Sequence, residues 1–177
     1  MLVLVGPSAS GKSAIVKCLT KKYGLEKFIT CTTRKIRVGE IDGVDYHFLT
    51  ESEFSDLYNQ NEFIETVYYN GNYYGTLKRD VNDNKVVILE PSGIKHYLEK
   101  VREEVTVVFL RCSNEIVRIR MKQRGDSLEV IEKRLILDKE VFNKEIIELC
   151  DFVVDTSASN VYANAKEIYL LYKEYMK

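Results

Sequence analysis

The chain has 177 residues, 45% hydrophobic and 30% charged, with 26 Lys and Arg against 27 Asp and Glu. That length suits one compact domain with its own core. The formal net charge of −1 excludes a global cationic field able to gather nucleic acid or anionic lipid, so any anion site must be local. No stretch approaches the ~18 uninterrupted apolar residues of a membrane span. Met1–Val5 carries no basic region or cleavage site of a signal peptide. Cys18, Cys31, Cys112 and Cys150 form no CxxC pair, and with only His47 and His96 beside them they read as reduced thiols. The expectation is a cytoplasmic protein, monomer or homodimer, with no nucleic-acid or membrane partner.

In chain order, Leu2-Val3-Leu4-Val5 has the wholly apolar pattern of a strand buried on both faces. The chain then passes through Gly6–Gly11 into a helix whose apolar positions are Ile15, Leu19 and Cys18. A β-like run over Phe28–Thr32 opens a polar, Tyr-rich and turn-rich segment, 30–76, with turn signals at Gly39, Asp42-Gly43 and Asn70-Gly71-Asn72. Within it Thr50 and Glu53 predict a capping box opening a helix at about Glu51, and Glu62–Tyr69 predicts a strand. Strands follow at Val86–Leu89, Thr106–Leu110 and Phe152–Val154. A helix is predicted near Ser127–Leu149, where Ile131, Leu135, Phe142, Ile146 and Leu149 recur at helical spacing, and a last one carries Val161, Ala165, Ile168, Tyr172, Tyr175 and Met176. Apolar strands alternating with helices predict an α/β, three-layer fold around a central parallel sheet, and segment 30–76 reads as a small β-rich insertion over it.

Gly6-Pro7-Ser8-Ala9-Ser10-Gly11-Lys12-Ser13 matches GxxxxGK[ST] in full, between an apolar strand and an amphipathic helix. Glycines let backbone N–H groups curl around a phosphate, and the helix starting near Lys12 aims its positive end there. Lys12 is placed to bridge β- and γ-oxygens, and the Ser13 hydroxyl to ligate Mg²⁺. The motif therefore points to the phosphates of a nucleoside triphosphate, with Gly6, Ser8, Ala9, Ser10, Gly11, Lys12 and Ser13 around them.

Further on, Arg34 and Arg37 stand three apart, with Thr32 and Thr33 before them and Tyr46 after. Such a pair can clamp a second phosphate, because a planar guanidinium bonds two oxygens at once, or it can be a solvated basic turn. The full segment Thr32-Thr33-Arg34-Lys35-Ile36-Arg37-Val38-Gly39-Glu40-Ile41-Asp42-Gly43-Val44-Asp45-Tyr46-His47-Phe48 resembles the signature of the guanylate kinase family. The resemblance continues through Asn61–Glu65, Gly71–Thr76, Gln123-Arg124-Gly125, Lys133-Arg134-Leu135 and Asp151–Asp155, so with the phosphate loop it spans nearly the whole chain.

The resemblance implies a P-loop kinase fold with core 1–29, 77–111 and 136–177, a monophosphate-binding insertion 30–76 and a helical lid 112–135. It implies ATP and GMP as substrates, Mg²⁺ accompanying ATP, and γ-phosphate transfer to GMP (and dGMP). Arg34, Arg37, Tyr46 and Tyr74 would hold the GMP phosphate. Glu65 would pair with guanine N1–H and the N2 amino group, whose two adjacent donors suit a carboxylate. Thr30 and Thr76 would donate to guanine O6. Arg124 and Arg134 would fold over the ATP phosphates, joining Lys12 and Arg34 as catalytic groups, and Asp155 falls near the adenine.

One stretch departs from the family pattern. After Val86–Leu89 the family shows Asp-x-Asp and Met-Gln-Gly, where this chain has the shorter Glu90-Pro91-Ser92-Gly93. Glu90 keeps a carboxylate that could order the Mg²⁺ hydration shell or simply shape the turn, and Ser92 stands where an aspartate would help grip guanine. Two other readings stay open at this point: a related P-loop kinase for another phosphorylated acceptor, and a non-catalytic GMP-binding interaction module.

Overall fold

The computed structural model describes residues 1–69 and 71–176; the Asn70 position of the predicted Asn70-Gly71-Asn72 turn lies outside the described residues. Strands β1 (Leu2–Val5), β2 (Glu26–Lys27), β7 (Lys85–Ile88), β8 (Thr106–Arg111) and β9 (Phe152–Asp155) form one sheet in the order β2-β7-β1-β8-β9, with every pairing parallel. Helices α1 (Lys12–Tyr23), α3 (Pro91–Val101), α4 (Asn114–Gln123), α5 (Leu128–Val141), α6 (Lys144–Glu148) and α7 (Val161–Tyr175) follow or precede these strands. The α/β three-layer architecture is the expected one.

The wholly apolar β1 is central because both its faces are covered. Met1, Val3 and Val5 pack in one core with Ile94 and Tyr97 of α3 and Ile146 of α6. Leu2 and Leu4 point the other way, into a core with Ile15 and Leu19 of α1 and Ala165, Ile168 and Tyr172 of α7. Strand alternation thus feeds two helical layers from four consecutive residues.

A second, four-stranded sheet lies within segment 30–76 and just beyond it, in the order β4-β3-β6-β5, from β3 (Cys31–Thr32), β4 (His47–Phe48), β5 (Phe63–Tyr69) and β6 (Asn72–Leu77). Pairing is antiparallel except between β3 and β4. Helix α2 (Glu51–Asn59) opens with the predicted capping box: Thr50 accepts from the Glu53 N–H and the Glu53 carboxylate accepts from the Thr50 N–H. Phe54 of α2 stacks on Phe63 and Tyr73, closing a small separate core.

Two sequence expectations need correction. The run Phe28–Thr32 is not one strand: β2 ends at Lys27 in the parallel sheet and β3 starts at Cys31 in the other, leaving Thr30 in the connection. The helix expected over Ser127–Leu149 is two, because Asn143 caps a new start by accepting from the Ile146 N–H. Apolar spacing runs on through that break although the two helices feed different cores: Leu135 packs with Val117 and Met121 of α4, and Ile146 with Val3 and Val5 of β1. Among the described residues no helix is long and apolar enough to cross a membrane.

Candidate active site

The loops that leave the carboxyl ends of β1, β7, β8 and β9 converge, as ligand crevices do in open parallel sheets. The loop after β1 is shaped by contacts from three other elements. Gly6 has φ +153°, and a Cβ there would meet the Leu110 carbonyl oxygen at 2.6 Å, so the loop runs against β8 only because the side chain is absent. Ala9 is held left-handed at φ 55°, the kind of strain that surrounding bonds must maintain. Those bonds are present. Thr156, just past β9, donates to the Ser10 carbonyl at 2.8 Å, and Arg120 of α4 donates to the Ala9 carbonyl at 3.1 Å and the Thr156 carbonyl at 2.7 Å. The buried Asp138 of α5 accepts from the Ser8 N–H at 2.7 Å.

Lys12 donates to the Gly6 and Pro7 carbonyls at 2.6 and 2.8 Å, lying across the loop it would share with a phosphate. Burial lowers its pKa, and the nearby carboxylates of Glu90 and Asp138 partly oppose that shift. The Arg134 guanidinium donates to the Ser8 hydroxyl at 2.6 Å and lies 3.8 Å from Asp138. Arg124 is exposed and paired with Asp126 at 2.5 Å. Ser8, Ala9, Gly11, Lys12 and Ser13 line one cleft of about 580 Å³ together with Arg120, Arg124 and Arg134. Loop and expected lid arginines therefore share a single cationic cleft.

A second cleft of about 630 Å³ gathers Thr30, Tyr46, Glu65, Tyr74, Thr76, Glu90 and Ser92. These residues come from the second sheet, from the segments beside it and from the start of α3. Its apolar part is supplied by Val67, Val87 and Leu89. Burial raises the Glu65 carboxyl above the usual range, opposed by His96. The Thr76 and Tyr97 hydroxyls are buried beside each other; burial raises the Tyr97 pKa, and the neighbouring Thr76 hydroxyl opposes that shift. Glu90 lines this second cleft at the end of β7, and β7 pairs in parallel with β1, whose loop lines the first, so the two clefts open from neighbouring strand ends.

Five expected residues stand apart from these linings: Gly6 and the buried Ser10 within the phosphate loop itself, and Arg34, Arg37 and Asp155. Arg34 does not line the second cleft: Glu40 holds it at 2.7 Å, and its guanidinium lies over the rings of Tyr46 and Phe48 at 5.4 and 5.6 Å. The hydrogen bond with Glu40 raises the Arg34 pKa and lowers that of Glu40. Arg37 is exposed and contributes its backbone N–H to Glu40 at 2.8 Å, so Glu40 joins the two arginine positions instead of a phosphate. Asp155 lies outside the phosphate cleft, where the Ser157 hydroxyl and then the Ser157 N–H, at 2.8 Å, lower its pKa.

Sequence reasoning missed Glu40, Arg120, Asp138 and Thr156. Two had a usable signal: Arg120 precedes Arg124 by four residues and Asp138 follows Arg134 by four, so each shares a helical face with an expected residue. Glu40 and Thr156 act from loops, where spacing carries no such information.

A Gly-rich loop joining the central strand of a parallel sheet to a helix, with arginines converging over it, defines the class of P-loop nucleotide-binding proteins. The guanylate kinase family model matches residues 1–168. A guanylate kinase from Fusobacterium nucleatum is 32% identical over 91% of this chain and 97% of its own length. One from Helicobacter pylori is 39% identical over 77% of this chain and 70% of its own. The crystal structure of guanylate kinase from Anaplasma phagocytophilum shares the fold, with a TM-score of 0.59 at 24% identity over 99% of this chain and 85% of that one. The chain belongs to the guanylate kinase family.

Proposed function

We infer that this chain catalyses ATP-dependent phosphorylation of GMP, with ATP in the cleft of Lys12 and GMP in the cleft of Glu65. The observation that carries this reading is the pair of clefts opening from the neighbouring ends of β1 and β7, one cationic and the other built around a half-buried carboxylate and hydroxyls. Family membership supports the same substrates and disfavours a different phosphorylated acceptor.

The acceptor oxygen belongs to a phosphate and is already anionic at neutral pH, so the protein needs no strong general base. Its task is alignment and charge neutralisation of an in-line transfer. Lys12 exchanges its two carbonyl partners for phosphate oxygens. Arg134 and Arg124 swing from Ser8 and Asp126 toward the transferring group, while Arg120 keeps the loop in its strained form. Glu40 presents Arg34 beside Tyr46 and Tyr74, so one guanidinium can turn to the GMP phosphate while Arg37 closes from the exposed side. Glu65 pairs with the N1–H and N2 amino group of guanine, and Thr30 and Thr76 face O6. AMP carries an amino group there and would leave those hydroxyls and the carboxylate mismatched. Ser92 stands at the rim of the base site, and Asp155 near the adenine.

The donor set near Lys12 fits Mg²⁺. Ser13 offers one hydroxyl and Glu90 one carboxylate, and no cluster of three His, Cys, Asp or Glu occurs among the described residues. A cation that keeps its waters and takes most ligands from phosphate suits such a sparse set. Held through Ser13, with Glu90 ordering its hydration, it would supply neutralisation of charge on the ATP phosphates. The division into core 1–29, 77–111 and 136–177, insertion 30–76 and lid 112–135 gives the second sheet and the arginine helices separate closing motions that exclude water.

The test is a coupled ADP-release assay with purified protein, ATP and GMP. Turnover that needs both GMP and Mg²⁺ supports the reading; an enzyme inert to GMP overturns it.

A further inference from the structure

Helix α3 starts immediately behind the Glu65 carboxylate, packed across β5. A Cβ placed on Gly93 would lie 2.9 Å from Glu65 Oε2, 3.5 Å from Oε1 and 3.6 Å from Cδ. The first distance is closer than real Cβ atoms approach, so any side chain at position 93 displaces the carboxylate. The displaced atoms are the tip of a flexible side chain, not backbone, so the fold itself can absorb the change.

The backbone does not ask for glycine here. Gly93 is not in the left-handed region; it sits in the first turn of a helix, donating to the Glu90 carbonyl at 3.0 Å. Alanine is the better residue inside a helix, because glycine gives up more chain entropy on folding. What glycine provides at this position is space for one carboxylate. The same face of α3 carries His96, which opposes the shift in Glu65, and Tyr97, one turn on, whose buried hydroxyl lies beside that of Thr76.

We infer that Gly93 is a positioning residue for base selection: its missing side chain lets α3 press against Glu65 and fixes where the two carboxylate oxygens stand in the acceptor cleft. This inference rests on the assignment of Glu65 to the guanine N1–H and N2 amino group.

The experiment compares wild type, Gly93→Ala and Glu65→Gln for turnover of GMP and IMP, KM for ATP and melting temperature. IMP lacks the N2 amino group, so it reports whether both carboxylate oxygens are in register. In Gly93→Ala the melting temperature stays at or above that of wild type and KM for ATP stays within about twofold. KM for GMP rises roughly 10- to 100-fold, the loss of a hydrogen-bonded pairing with a charged group. kcat at saturating GMP changes far less, and the preference for GMP over IMP shrinks. If Glu65→Gln loses GMP while Gly93→Ala keeps wild-type KM and preference, the positioning role is wrong and the Glu65 assignment stands. If Glu65→Gln behaves as wild type, the assignment falls and the role of Gly93 with it. A lowered melting temperature in Gly93→Ala, with ATP use impaired equally, also overturns the inference, because glycine would then serve packing alone.

Discussion

Replacing Asp151 with alanine should destabilise the fold without touching the chemistry. Asp151 stands just before β9 with its side chain only 6% exposed. Its carboxylate accepts from the Val107 N–H of β8 at 2.8 Å, from both terminal nitrogens of Arg102, and from the Tyr175 hydroxyl at 3.2 Å. It thus ties the end of α3, the start of β9 and the last turn of α7 together. Val107 is fully buried, so losing its acceptor costs about 1–3 kcal/mol. Arg102 is 39% exposed and can return to water, so its share is about 1 kcal/mol or less. The sum is roughly 1–4 kcal/mol, which at about 2–4 °C per kcal/mol for a chain this long lowers the melting temperature by roughly 2–16 °C. Calorimetry or circular dichroism reads the shift, and ADP release well below the transition should match wild type. Asp151→Asn keeps an acceptor for Val107 and should fall less. An alanine variant that melts within about 1 °C of wild type would refute the reasoning.

Lys12→Ala should lower kcat by roughly 100-fold or more while GMP affinity holds, because the contact strengthens as charge develops; an unchanged kcat removes Lys12 from the chemistry. Gly6→Ala forces a Cβ against the Leu110 carbonyl at a positive φ, so it should lose ATP binding and melt lower, read by nucleotide titration and thermal unfolding. Burial raises the Glu65 pKa, so the folded chain holds that proton to a higher pH than the unfolded chain. Stability from this group is therefore fullest below the ordinary glutamate range and is lost as pH rises through the raised value. Glu65→Gln should accordingly melt higher than wild type at neutral pH and nearly level with it at acid pH; an equal difference at both would contradict this. In wild type, kcat/KM for GMP should fall as pH drops through the same raised value, with ATP far less affected.

Much of the fold was legible because β1 is apolar at every position and must be buried on both faces, and because Thr50 and Glu53 mark a helix start by direct chemistry. The phosphate loop was legible for the same reason: its glycines answer a backbone need, visible at Gly6 against Leu110. The acceptor cleft was legible only through resemblance, since Thr30, Glu65 and Ser92 lie far apart in sequence and share no periodicity. The break at Phe142–Asn143 was hidden because apolar spacing continues through it. Glu40 was hidden because its partner, Arg34, looks from sequence like a phosphate ligand with nothing to hold it. Gly93 could not be singled out at all, because what it makes room for sits on another element.

The most direct measurement of the central claim is initial-rate ADP release with ATP, Mg²⁺ and each of GMP, dGMP, AMP, CMP and UMP at equal concentration. The two neighbouring clefts predict turnover with the guanine nucleotides and background rates with the other three. Turnover with AMP or a pyrimidine nucleotide matching that with GMP would contradict the assignment of Glu65, Thr30 and Thr76 to the guanine edge.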